Sequence, residues 1–254
     1  MKRSLLLAVL ACAGLHATTI SLATNPSDTG SGNTSFSFTN SGIQVTVSSY
    51  STFNGGTALT AASIQQFGSG LGLGVCNTAE VARGVCDNTS LSTGDWQIST
   101  YVENASGGPA NGNYRDFVLL TFNQAVTVQS LLQLQSNMNF FDNDFQWWYS
   151  TTAVSNPTDF TGFTLGGTYN GAGMQYSGSG AYPTNTAAIN STGLFSLLIG
   201  AGQSSTDLTD KFKLNAINVT GGIRINADVP EPASMALMGS GLVALGLLAR
   251  RRRK

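Results

Sequence analysis

Histidine is almost missing from this chain of 254 residues: the single copy is His16. It falls in an N-terminal segment that reads as a leader, so the body beyond it has none. That removes Ser-His-Asp and Cys-His catalysis as usually built, histidine metal sites and imidazole proton transfer. Charge is also scarce, at 10% Asp, Glu, Lys and Arg. Cysteine occurs three times, as Cys12, Cys76 and Cys86. No run at helical period stands between the two ends, which argues against a helical body. What remains is a chain rich in Gly, Ser, Thr and Asn, with apolar residues in short stretches.

The N-terminus reads as an export signal over residues 1–17. Lys2 and Arg3 form a positive start, Leu5 to Ala13 an apolar stretch, and Leu15-His16-Ala17 offers a small residue for cleavage after Ala17. A second reading is a lipobox, Val9-Leu10-Ala11-Cys12, with Cys12 lipidated. Either way the body is exported. Export makes Cys76 and Cys86 an isolated pair in an oxidising compartment, which reads as one disulfide closing a short loop. Such a bridge would contribute roughly 2–3 kcal/mol by loop-closure entropy.

The two ends also hide the charge of the body. Between them the cations are Arg83, Arg115, Lys211, Lys213 and Arg224, five against 13 acids with Glu231 counted, a net −8. An acidic body repels nucleic acid and anionic lipid, so neither is expected as a partner of the body.

The C-terminus reads Val229-Pro230-Glu231-Pro232, then an uncharged apolar run from Ala233 to Ala249, then Arg250-Arg251-Arg252-Arg253-Lys254. The prolines stop any ordered element entering from the body. As a helix, 233–249 would span about 25 Å, near the lower limit for crossing a bilayer core. The terminal cations would hold that end in the cytoplasm. The order Pro-Glu-Pro, short hydrophobic helix, Arg cluster resembles the PEP-CTERM sorting signal of Gram-negative bacteria that make exopolysaccharide. The resemblance covers residues 229–254. It implies recognition by a membrane-embedded exosortase, processing near Pro230-Glu231-Pro232, and a precursor held in the inner membrane. An ordinary tail anchor that is never cut is the alternative.

For residues 18–228 the sequence predicts an all-β fold: one antiparallel β-sandwich, jelly-roll-like. Phe36 and Phe38 alternate with polar residues, as do Ile43, Val45 and Val47. Trp96 and Ile98 begin a second half-buried set. Arg115 to Phe122 is an apolar run suited to a central strand, and Ala125 to Gln135 reads as a separate strand after Asn123-Gln124. Phe145 to Thr152 is aromatic and β-prone. Phe160 to Leu165, Leu194 to Ile199, Lys211 to Val219 and Ile223 to Ile225 complete the set. Residues 24–33 and 166–190 read as loops, being rich in turn formers.

The body also resembles a loose set of PEP-CTERM secreted proteins of this size. The matching segments are Gly72-Leu73-Gly74-Val75, Asp116-Phe117-Val118-Leu119-Leu120-Thr121-Phe122, Val126-Thr127-Val128 and Phe212 to Ile217. The group offers no activity to carry over.

Without histidine, chemistry rests on carboxylates. A glycosidase needs two at a fixed separation; Glu80, Asp95, Glu103, Asp116, Asp142, Asp144 and Asp159 are present, but spacing alone pairs none of them. Asp142-Asn143-Asp144 offers hard oxygen ligands at i and i+2, suited to Ca²⁺. The EF-hand pattern fails after it, and an Asx turn is the plainer reading. Phe140, Phe141, Phe145, Trp147, Trp148 and Tyr149 form the densest aromatic run. Adjacent Trp147 and Trp148 on a strand must point to opposite faces. One is expected in the core; the other, beside Gln146, is a candidate glycan contact. Taken together the sequence points to an exported, non-catalytic envelope or matrix protein, associated with exopolysaccharide or biofilm. A carbohydrate-binding module is the alternative, and a carboxylate-dependent glycan hydrolase a third.

Overall fold

The computed structural model describes residues 17–23, 34–53, 56–67, 72–82, 98–99, 114–135, 144–170, 184–202 and 211–221. Residues 1–16 of the export signal, Cys86, Asp142 and everything from residue 222 onward lie outside them; Ala17, the last residue of that signal, opens the first strand. Twelve strands and one turn of helix occur in the described residues. They are β1 (Ala17–Ser21), β2 (Ser35–Asn40), β3 (Ile43–Phe53), β4 (Thr60–Ala61), β5 (Ser63–Phe67), β6 (Gly72–Cys76), α1 (Thr78–Ala82), β7 (Ile98–Ser99), β8 (Tyr114–Gln135), β9 (Phe145–Ser150), β10 (Thr164–Tyr169), β11 (Thr184–Ala201) and β12 (Lys211–Gly221). Every pairing is antiparallel. The fold is all-β, as the alternation of apolar residues implied. All the described residues belong to one unit, Leu15–Gly222.

Two long strands organise it. The first half of β8 pairs with β3, from Tyr114↔Phe53 to Phe122↔Val45. Its second half pairs with β12, from Val126↔Gly221 to Gln135↔Phe212. β11 follows β8 through both halves and changes register between Ala188 and Ser196. One layer is therefore β2-β3-β8-β11-β9-β10 and the other β5-β6-β12-β8-β11, with β1 alongside β12. Apolar residues of both layers meet in one cluster. Val45, Val47, Val118, Leu120, Leu197 and Ile199 of the first pack with Val128, Ala187, Leu214, Ile217 and Val219 of the second. Each is buried by alternation along its strand.

Two expectations need correction. Asn123-Gln124 does not break the chain into two strands. The Asn123 amide takes up backbone groups of the neighbouring hairpin: Gln44 N–H donates to Oδ1 at 3.0 Å, and Nδ2 donates to Gly42 C=O at 3.4 Å. The strand therefore continues while its neighbour changes. That hairpin turns through Ser41 (φ 50°) and Gly42 (φ 77°), the paired positive φ of a tight two-residue connection. Nor are residues 166–190 all loop. β10 runs to Tyr169 and β11 starts at Thr184, while Phe160 stays in the preceding connection. Gly166 and Gly167 belong in β10 because the Trp147 indole lies against them; a Cβ at either would overlap the ring.

α1 is fixed by a reciprocal cap. Asn77 Oδ1 accepts from Glu80 N–H at 3.1 Å, and Glu80 Oε2 accepts from Asn77 N–H at 2.9 Å. Among the described residues no helix is long and apolar enough to cross a membrane; the run 233–249 is not among them.

Candidate functional site

The region singled out by sequence is the start of β9. Asp144 precedes the strand, and its carbonyl accepts from Gly202 N–H at 2.9 Å. Alternation then sends Gln146 and Trp148 to one face and Phe145 and Trp147 to the other, as the strand period requires.

Trp147 faces the space between the layers. It is 9% exposed, lies 5.8 Å from the Phe145 ring, and its Nε1 has no hydrogen-bond partner. Trp148 faces the outside of the first layer but does not stand free. Its ring lies 5.0 Å from Phe160 and 5.8 Å from Phe117. It joins Tyr50, Leu59, Phe117, Leu119, Leu198 and Phe163 in a second apolar cluster. Two connections cover that cluster. They meet where Leu59 N–H donates to Thr158 C=O at 2.8 Å, and the second is tied to β11 where Val154 N–H donates to Ser196 Oγ at 2.9 Å.

Arg115 ties this region together, a role the sequence reading left unassigned. Its guanidinium lies 5.1 Å from the Trp148 ring and 5.2 Å from the Phe117 ring. Nη2 donates to Gln146 Oε1 at 2.9 Å, and the same group reaches the carbonyls of Gly200, Ala201 and Gly202. Gln146 Nε2 in turn donates to Thr168 Oγ1 at 3.4 Å. A cation at the head of an otherwise apolar strand was the available signal. The group binds strand ends and orients one indole.

Three of the described acids, Glu80, Asp116 and Asp159, take part in local structure. Glu80 caps α1. Asp116 is fully buried and accepts from Asn77 Nδ2 at 3.3 Å. Asp159 accepts from Thr161 N–H at 2.7 Å. The Thr161 backbone bond, then its side-chain bond, hold that carboxyl below its ordinary 3.8. Among the described residues no three His, Cys, Asp or Glu gather as a metal site. Asp142, the other half of the calcium reading, is outside them. Cys76 is fully buried at the end of β6, and its expected partner Cys86 is also outside.

The site that comparison identifies is elsewhere, at the C-terminal end. Residues 228–253 match the PEP-CTERM protein-sorting motif. The match takes in Pro230, Glu231, Pro232, the apolar run and Arg250 to Arg253, and is consistent with an exosortase substrate. The PEP-CTERM motif thus implies an exported protein. No curated protein matches the chain. Among solved structures, the K3 cleaved adhesin domain of Lys-gingipain from Porphyromonas gingivalis aligns at 13% identity and TM-score 0.32, over 50% of this chain and 73% of that one. The structure holding the CBM32-1, CBM32-2 and M60 catalytic domains of Clostridium perfringens ZmpB aligns at 13% identity and TM-score 0.26, over 54% of this chain and 13% of that one.

Proposed function

We propose that this chain is an exported, non-catalytic envelope or matrix protein, delivered by an exosortase and associated with exopolysaccharide. The observation that carries the reading is the sorting motif at residues 228–253. In this reading residues 1–17 direct export, and 233–249 span the inner membrane as a short helix. Arg250, Arg251, Arg252 and Arg253 hold its end inside, and processing falls near Pro230-Glu231-Pro232. The body is a jelly-roll-like sandwich carrying a Cys76–Cys86 disulfide, and works at the cell surface or outside the cell. The non-catalytic part is supported by three acids, since Glu80 caps a helix, Asp116 accepts a buried hydrogen bond and Asp159 closes an exposed turn.

A carbohydrate-binding role is the second reading. It is favoured by Arg115, Gln146 and the partly exposed Trp148 gathered at one strand end. Changing Arg250 to Arg253 to Gln, in a host with and without an exosortase, tests the first reading through the mass of the mature protein. Loss of processing in the variant and in the exosortase-free host is expected. Unchanged mass and location in both would end the sorting reading. Retention of the purified body on a polysaccharide column would favour the second, and release of products from glycans would remove the word non-catalytic.

A further inference from the structure

The first and last strands of the body lie side by side. β1 pairs with the end of β12, Ala17↔Thr220 through Ser21↔Ala216. The chain therefore enters and leaves the described body at the same end. The rest of that end is identified by pairing and hydrogen bonds. Gly221 pairs with Val126, so the middle of β8 is there. The Ser41-Gly42 turn is there too, through Thr18 Oγ1 to Ser41 Oγ at 3.3 Å and through the Asn123 amide. The bend of β11 joins them, since Ser191 pairs with Val128 and Leu194 with Val126.

Among the described residues this end carries no charge: 17–19, 40–44, 123–125, 191–193 and 220–221 contain no Asp, Glu, Lys or Arg, and the stretch 222–232 that leaves it holds Arg224, Asp228 and Glu231. Arg115, Asp116, Asp144, Glu80, Lys211 and Lys213 all belong to the other half of the strands. There β8 begins and ends, β11 finishes and β12 starts. Of the charged residues described, only Asp159 lies in a connection instead.

The lengths of chain outside the body then say what faces this end. Residues 222–232 separate Gly221 from the apolar run, a reach of at most about 40 Å when fully extended. Residues 14–16 separate the N-terminal apolar stretch from Ala17, a reach of about 10 Å. We infer that the uncharged end, centred on Ser41-Gly42, Asn123-Gln124 and Thr192-Gly193, is the surface this protein turns toward the lipid bilayer while its precursor is anchored. The inference rests on the anchored-precursor reading above. An anionic lipid surface repels acidic groups within a Debye length, about 8–10 Å in physiological salt. A body of net −8 therefore approaches it at least cost by its charge-free end, and that is the end the tether reaches first.

The test uses the full chain in vesicles of phosphatidylglycerol and phosphatidylethanolamine that contain a nitroxide-headgroup lipid. One dye is attached through an azide-bearing residue at exposed Thr192, or at exposed Val81 beside the capped helix. Flotation with the vesicles reports anchoring separately. Quenching at Thr192 several-fold stronger than at Val81 is expected. Adding Gln44→Glu and Gln124→Glu should shrink that difference, whereas Asn170→Glu should not. A chain that floats yet quenches equally at both sites overturns the orientation and leaves the anchor standing. A chain that does not float overturns the anchor itself.

Discussion

The two faces of β9 are packed by different means. The inner face sends Phe145 and Trp147 into a core made almost wholly by strands, where alternation places each ring. The outer face sends Trp148 into a smaller cluster roofed by irregular chain, 151–163 and 56–62, and braced by the Arg115 guanidinium. One face needs only the strand period. The other needs a connection long enough to fold back and rings placed to meet it. Two neighbouring tryptophans therefore serve two unequal clusters.

The comparison breaks most sharply at the indoles. Trp147→Ala should cost about 3–5 kcal/mol in denaturant unfolding, the range for a large buried aromatic. Trp148→Ala should cost about 2 kcal/mol, since its ring is only partly buried and loses one covered side. Equal losses would mean that the outer cluster is no secondary tier. Trp147→Phe should cost no more than about 1–2 kcal/mol, because the lost indole N–H had no partner to lose. A loss as large as that of the alanine variant would show that Nε1 is bonded after all.

Gly166→Ala comes next. Its methyl would overlap the Trp147 indole, so about 1–3 kcal/mol of destabilisation is expected from overpacking. Gly193→Ala is the control: nothing lies within 4 Å there, although its φ of +70° adds a backbone cost of about 1 kcal/mol. If both behave alike, the indole does not press on β10.

The smallest effect belongs to the outer roof. The Asp159 carboxyl is held below 3.8 when folded, so it stabilises its turn above that value. The contribution is lost as pH falls through the lowered folded value. Amide signals near Thr161 should follow that titration. Asp159→Asn should abolish the step.

Much of the first layer was readable because its signal is local. Ile43, Val45 and Val47 alternate, and Arg115 to Phe122 is an apolar run suited to a central strand; burial alternates over the first and is continuous from 116 to 120 in the second. The unbroken course of β8 was not readable, because it depends on an asparagine bonding to a hairpin 79 positions away. β10 was missed because its glycines look like loop until a distant indole is known to lie on them. The sorting motif was legible for the opposite reason. It is read by other machinery as a linear order of residue types, so no partner within the body is needed to recognise it.

The pairing of β1 with β12 also sets a clock. Thr18 is among the first residues of the body to emerge, yet its partner Val219 comes 201 positions later. Until almost the whole chain has been exported, β1 has no β12 beside it, and contacts so distant in sequence form slowly. β1 becomes a paired strand only once the last stretch of the body has arrived. A chain that stops short of residue 211 can never make that ladder, so the finished sheet is itself a record that the chain reached β12.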